Sequence, residues 1–219
     1  MLTTDREPAP LLRGRDLSRT WLRTVTAAEF AGFAVPATVA VLTAHAPAPV
    51  AVVAVVGAGA VEGAMLGWGQ ATVLRRTIPA VSARRWIAAT SIAAVIAYAL
   101  GLAPSTFAAT VRTWPPALIA GAGLVIGSAL LATIGTAQWL ILRHHVGHAR
   151  RWILTTALAW LAGLGVFLGF AMPLWQPGQS TALIIGIGVA GGLLMAGTTA
   201  LFTGAALRRL LSRTDRATP

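Results

Sequence analysis

Six long apolar segments dominate the sequence, and each is as long as a lipid bilayer requires. A hydrocarbon core of about 30 Å is crossed by about 20 helical residues. Of the 219 residues, 56% are hydrophobic and 11% are charged, which leaves too few polar side chains to cover a soluble domain. The sequence therefore predicts an all-α integral membrane protein with six transmembrane helices. The predicted spans are 24–44, 50–74, 86–108, 116–142, 152–175 and 181–207.

Positive charge alternates between the breaks that separate these segments. All 17 basic residues are Arg, and Arg112 alone falls in the set of loops marked by Pro47, Pro115 and Pro177. The positive-inside rule then predicts a multi-pass protein of the inner (cytoplasmic) membrane with both termini on the cytoplasmic side. The first twenty residues lack the apolar stretch of a cleaved signal peptide. Trp residues near the span ends are expected to form interfacial belts, with Trp21, Trp86, Trp139 and Trp152 inside and Trp114 and Trp175 outside.

A two-helix unit recurs three times along the chain. A basic residue shortly before Trp opens each odd-numbered span, and Trp21, Trp86 and Trp152 are 65 and then 66 residues apart. A Leu-Arg pair closes each even-numbered span at a similar interval, which indicates tandem duplication. Because each unit contains two spans, the three hairpins are expected to be parallel rather than inverted repeats. The predicted hairpins are 19–76, 84–143 and 150–211, between polar cytoplasmic tails at 1–18 and 212–219.

Small residues recur about every four positions in the even-numbered spans. Such stripes let helices approach closely inside lipid, so we expect GxxxG-type packing with the three even spans at the centre and the odd spans outside. The stripes contain Gly59, Gly63 and Gly67; Gly123, Gly127 and Gly135; and Gly188, Gly192, Ala196, Ala200 and Gly204.

The motif G-x-x-Q-x-x-x-L-R occurs twice, from Gly67 to Arg75 and from Gly135 to Arg143, and a short basic loop and a Trp follow each copy. The third copy has Thr203 in place of Gln. This pattern resembles a set of uncharacterised bacterial polytopic membrane proteins with repeated helical hairpins. The resemblance implies the architecture and no function.

Two acids lie inside the predicted spans. Counted from the nearest Arg at 1.5 Å per residue, Glu62 is about 20 Å from the cytoplasmic edge and Glu29 about 9 Å, so a direct carboxylate pair is not expected. An acid at such depth points to ion or proton handling, whereas the alternative is a protonated group with a hydrogen-bond partner. Positions equivalent to Glu62 hold Leu130 and Met195, and those equivalent to Glu29 hold Ala94 and Trp160, so both acids belong to the first hairpin alone.

Other polar residues have simpler readings. Gln70 and Gln138 are expected to hydrogen-bond between helices rather than to line a permeation ring. His144 and His148 would share one face of a helix as metal ligands can, but the neighbouring Arg residues repel a cation, so no metal is predicted. The basic loops are instead expected to contact anionic lipid headgroups, through Arg75, Arg84, Arg85, Arg143, Arg150 and Arg151.

The functional hypotheses belong to two classes. With no cysteine and no paired carboxylates or nucleophile motif, the chain is not expected to be an enzyme, to carry a cofactor or to bind nucleic acid. The leading hypothesis is a non-catalytic module that binds or assembles with lipid or protein, as a homo- or hetero-oligomer or alone. The alternative is a small channel or transporter for an ion or small solute with its pathway near Glu62. A transporter should contain a cavity that reaches Glu62, and an assembly module should have a packed centre.

Overall fold

The computed structural model of the protein describes residues 11–214, and side chains to residue 212. Within this range the chain is entirely helical, with seven helices and no strand. Six of the helices are long and apolar enough to cross a membrane, as predicted. The remaining helix, Ala108–Val111, is a single turn. The helices are α1 (Gly14–Leu42), α2 (Ala48–Leu74), α3 (Ala83–Thr106), α4 (Ala108–Val111), α5 (Pro116–Leu142), α6 (Arg151–Leu174) and α7 (Thr181–Thr214).

The helix ends follow local chemistry. Pro47 and Pro115 directly precede the first turns of α2 and α5, where a missing backbone N–H is not needed. Ser82 caps α3 by accepting a hydrogen bond from the backbone N–H of Arg85 at 3.4 Å. The helix α1 begins at Gly14, inside the segment assigned to the N-terminal tail, because its first turns are anchored to the rest of the bundle. Arg13 Nη1 donates to the carbonyl oxygen of Thr77 at 3.0 Å.

The six long helices form a closed ring. Each packs against the long helix before it and the long helix after it in the chain, and α7 returns to pack against α1. The expectation that the even spans form the centre is therefore wrong: α2, α5 and α7 each lie between two odd spans. Several of their small residues contact those odd helices instead. A Cβ on Gly63 would meet Ala94 and Ser91 of α3, and a Cβ on Gly135 would meet Ile153 of α6.

The hydrophobic core lies at one end of the ring, which we name the Arg-rich end. The Arg-rich end comprises the α2–α3 and α5–α6 loops, the start of α1 and the end of α7. Leu17, Leu74, Leu142 and Leu207 are buried there. At the opposite end, named the Pro-rich end, the first half of α5 is largely exposed, and Cβ atoms on its Gly121, Gly123 and Gly127 would meet nothing within 4 Å. The helices are therefore closely packed at the Arg-rich end and less closely packed at the Pro-rich end.

Candidate functional site

Three buried Trp side chains close the Arg-rich end of the ring. Trp21, Trp86 and Trp152 are each 0% exposed, so they are core residues and the expectation of an interfacial belt is wrong for them. Their rings pack edge to face, with centroids 6.3 Å apart for Trp21 and Trp152 and 6.4 Å apart for Trp86 and Trp152. Such contacts stabilise beyond the burial of area alone.

Each of these indoles donates a hydrogen bond to a neighbouring helix. Trp86 Nε1 donates to Gln70 Oε1 at 3.0 Å and Trp152 Nε1 donates to Gln138 Oε1 at 2.8 Å. Trp21 Nε1 donates to Thr203 Oγ1 at 3.0 Å, so Thr203 supplies an acceptor where the third hairpin lacks Gln. We call these six residues the Trp–Gln cluster.

The two Gln side chains also join each other. Gln138 Nε2 donates to Gln70 Oε1 at 2.7 Å and to Thr90 Oγ1 at 3.0 Å. Gln138 is 0% exposed, and its amide links α5 to α2 through Gln70, to α3 through Thr90 and to α6 through Trp152. Buried polar groups that satisfy one another specify a single packing. This is the geometry of an interhelical clasp and not of an open polar ring.

Directly beyond the cluster, towards the Pro-rich end, the ring encloses a cavity of about 300 Å³. Its lining includes Leu66 and Ile134, which lie one helical turn from Gln70 and Gln138. All six long helices contribute to the lining, and the cavity is partly open to the surroundings. We call it the ring cavity. One lining residue from each helix is Phe33, Glu62, Tyr98, Leu130, Trp160 and Met195.

The ring cavity has one acidic side chain in a wall that is otherwise almost entirely apolar. Glu62 is 5% exposed, and its Oε2 accepts a short hydrogen bond from the Tyr98 hydroxyl. The Tyr98 ring lies directly over Gly59, where a Cβ would collide with it. Glycine at position 59 therefore allows the phenol to reach the carboxyl group.

Glu29 lies behind this wall and is fully buried. Neither of its carboxylate oxygens has a hydrogen-bond partner. The nearby hydroxyl of Thr199 donates instead to the carbonyl oxygen of Met195 at 3.0 Å. Burying a polar group without a hydrogen-bond partner costs free energy, so the unpaired Glu29 carboxyl group destabilises the interior unless a further interaction compensates it.

The two acids are closer together than the sequence suggested. Gly32, three residues after Glu29, packs directly against the backbone and Cγ of Glu62, and three residues span only about 4.5 Å of helix. The expected depth difference of about 10 Å between the two acids was wrong. Helix α1 begins at Gly14, well before Arg23 in the chain, so Arg23 does not mark the edge of the bundle.

Positions that the sequence predicts to be equivalent lie around the ring cavity. Glu62, Leu130 and Met195 all line it, and so do Ala94 and Trp160, the two counterparts of Glu29. Glu29 itself does not line the cavity. The set that contains Glu62 therefore lines the cavity completely and the set that contains Glu29 lines it in part, so the acid in the lining comes from the first predicted hairpin.

His144 and His148 do not lie together on a helix. Helix α5 ends at Leu142 and α6 begins at Arg151, so His144 and His148 lie in turns, and His148 has a left-handed backbone with φ 56°. His144 Nε2 accepts a hydrogen bond from Arg143 Nε at 3.3 Å. Among the described residues, no group of three His, Asp or Glu side chains gathers as metal ligands would.

The basic side chains lie on the surface of the Arg-rich end. Arg143 and Arg150 both lie over the Trp139 ring, 5.3 and 6.0 Å from its centroid, in cation–π geometry. Arg151 and Arg209 flank a groove of about 400 Å³ between α6 and α7, with apolar Phe202 in its wall. Exposed headgroup candidates are Arg75, Arg84, Arg85, Arg143, Arg150 and Arg151.

Sequence reasoning missed three aromatic residues of the cavity. Phe33 and Tyr98 occupy positions that the predicted repeat makes equivalent, and a Cβ on Gly192 would contact the Phe33 ring as one on Gly59 would contact the Tyr98 ring. Tyr98 is the single Tyr of the chain. It lies on the helix that follows the Glu62 helix in the sequence, and this placement was the signal that could have identified it. Trp160 was noted only as a counterpart of Glu29.

A scan against protein-family models and searches of curated proteins and of solved structures found no match for this chain.

Proposed function

We propose that this chain is a non-catalytic integral membrane protein whose ring cavity binds an apolar or amphipathic small molecule, such as one lipid chain or a compact aromatic compound. The observation that carries this proposal is the cavity itself, of about 300 Å³ and lined by all six long helices. Ligand pockets of this size are mostly apolar with a few placed polar groups. Here the polar pair is Glu62 and Tyr98.

The Trp–Gln cluster favours binding over transport. It lies one helical turn from the cavity and closes the Arg-rich end with three indoles and two amides that hydrogen-bond between helices. The second candidate function, a small channel or transporter, is favoured by the cavity reaching Glu62. That function requires the cluster to open, which breaks buried hydrogen bonds and separates packed rings.

The proposal includes an arrangement in the membrane. The three hairpins are parallel repeats, with the Arg-rich end and both termini facing the cytoplasm. Matching contacts support the repeat: a Cβ on Gly67 would meet the Cα of Ile87, and one on Gly135 would meet the Cα of Ile153. The same holds for the contact of Gly32 with Glu62 and that of Gly163 with Met195. Small residues thus mediate close helix contacts.

Lipid headgroups are proposed partners at the Arg-rich end. In the proposed orientation the exposed Arg side chains would meet the anionic headgroups of the cytoplasmic leaflet, and each would contribute about 1 kcal/mol of attraction near such a surface. The α6–α7 groove combines Arg151 and Arg209 with the apolar wall around Phe202, which suits a headgroup and its chain.

Topology is testable with single cysteines because the chain has none. We expect Gln176→Cys, at the exposed Pro-rich end, to react with an impermeant maleimide added to intact cells. We expect His144→Cys, exposed at the Arg-rich end, to react only after the membrane is permeabilised. Rapid labelling of His144→Cys from outside, with protection of Gln176→Cys, would contradict the orientation.

The binding function is testable with a neutral long-chain alcohol that carries a diazirine near the end of its chain. We expect photolysis to label the cavity walls, including Leu130 and Leu164, which mass spectrometry of the purified protein can locate. Ala97 lines the cavity, so Ala97→Phe should fill it and reduce this labelling about tenfold. Ala99, two residues further along α3, is exposed and does not line the cavity, so Ala99→Phe is the matched control. Equal labelling in both variants, or labelling confined to the outer surface of the ring, would contradict the function.

A further inference from the structure

The interior of the ring carries acidic groups without basic partners. Glu62 lines the cavity and has Tyr98 as its hydrogen-bond donor. Glu29 lies behind it, fully buried and without a hydrogen bond. No Arg, His or Lys is among the residues that line the cavity. A carboxyl group held in such a place is stabilised either by a proton or by a positive charge from outside the chain.

The walls around Glu62 also contain aromatic rings from three different helices. Phe33, Tyr98 and Trp160 line the same cavity, from α1, α3 and α6. The π faces of aromatic rings attract cations, and Trp and Tyr do so most strongly. Recognition of quaternary ammonium groups commonly combines such rings with low access to water. Here the rings and the acid share one cavity of about 300 Å³.

A metal ion fits this site poorly. Ca²⁺ and Mg²⁺ take about six or more oxygen ligands, whereas one carboxyl group and one phenol are the oxygen-bearing side chains in the lining. The described residues hold no cluster of three His, Asp or Glu that could bind a metal. The apolar remainder of the lining instead matches the hydrocarbon part of an organic molecule.

We propose that the ring cavity selects hydrophobic ligands that carry a positive charge, namely alkyl- or aryl-ammonium compounds, with Glu62 as the counter-ion and aromatic rings around the charged group. This inference rests on the proposed function, because it names the ligand class of the same cavity. Glu62 is the selective group, and Glu29 is a second acidic residue that lies behind the wall. A neutral ligand of the same shape gains the apolar contacts alone.

The test compares two isosteric competitors in the photolabelling assay with the neutral diazirine alcohol. Phenyltrimethylammonium carries a permanent charge, and tert-butylbenzene has the same shape without it. In Glu62→Gln, which keeps the size of the side chain and can still accept from Tyr98, the concentration of phenyltrimethylammonium for half-maximal competition should rise about tenfold. The concentration of tert-butylbenzene should change by less than about twofold. Glu29→Gln, which alters an acid outside the lining, should give a smaller shift than Glu62→Gln.

The outcomes separate the two levels of the proposal. If both compounds compete and Glu62→Gln shifts neither, or shifts both equally, the charge selectivity is overturned and cavity binding stands. An equal shift in Glu29→Gln and Glu62→Gln would overturn the role of Glu62 as the direct counter-ion. If the wild-type cavity is not labelled at all, the binding function itself fails. Labelling of Glu62→Gln at the wild-type level shows that this variant is folded.

Discussion

Trp152→Ala is expected to lower the free energy of unfolding by about 3–5 kcal/mol, as truncation of a buried Trp does. Trp152 is 0% exposed, contacts the rings of Trp21 and Trp86, and donates to Gln138. Its removal leaves a cavity between the three hairpins and an unpaired amide oxygen, and a buried acceptor without a partner adds to the cost. Titration of the purified protein in detergent micelles with SDS measures the change.

The matched control is Trp68→Ala in α2. Trp68 is 60% exposed, so its truncation should change the unfolding free energy by less than about 1 kcal/mol. Similar midpoints for Trp152→Ala and the wild type would mean that the Trp–Gln cluster does not hold the ring closed. In that case, the argument that the cluster favours binding over transport would also fall.

Gly63→Ala is the second change with a large expected effect, and it should be destabilising. The same substitution at a nearby glycine of α2 is expected not to destabilise. A Cβ at position 63 would lie 2.6 Å from Ala94 Cβ and 2.8 Å from both Ser91 Cα and the Thr90 carbonyl oxygen. The helices α2 and α3 must separate to admit it, and overpacking of this kind costs about 1–3 kcal/mol. The same SDS titration should show Gly63→Ala unfolding earlier than the wild type.

Gly57→Ala, on the same helix, should be neutral or stabilising. A Cβ there would meet nothing within 4 Å, and replacing Gly by Ala inside a helix contributes roughly 0.5–1 kcal/mol. The pair separates packing from helix propensity, because the chemical change is identical. If Gly63→Ala were as stable as Gly57→Ala, close contact of α2 with α3 would not contribute to stability.

Several features of the fold were predictable because their causes are local. Apolar length, Pro47 and Pro115 before helix starts, and Arg clusters after helix ends depend on residues within a few positions of each other. The predicted and observed bounds of α5 agree, at 116–142. The start of α1 at Gly14 was missed, because the Arg-rich stretch up to residue 18 was interpreted as a tail, although its Leu17 is buried.

The candidate site was predictable only in part. Glu62, Glu29, Gln70 and Gln138 stood out in the sequence because polar side chains are costly inside apolar helices. Their partners did not stand out. Tyr98 approaches Glu62 only because Gly59 lets α3 lie close to α2, and Trp residues near span ends have the same sequence appearance whether they face lipid or the core.

The sequence by itself determined six apolar helices, the alternation of basic and Pro-rich ends, and the interval at which Trp and Gln recur. These properties depend on composition and on spacing along one chain. The closed ring, the burial of Trp21, Trp86 and Trp152, the approach of Glu29 to Glu62 and the cavity were decided only by tertiary structure. The physical reason concerns the rotation of each helix about its own axis. A helix that is apolar on all sides has no polar face to show which side packs inward. Contacts between side chains of different helices settle that orientation, and with it the place where an acid, a phenol and aromatic rings meet.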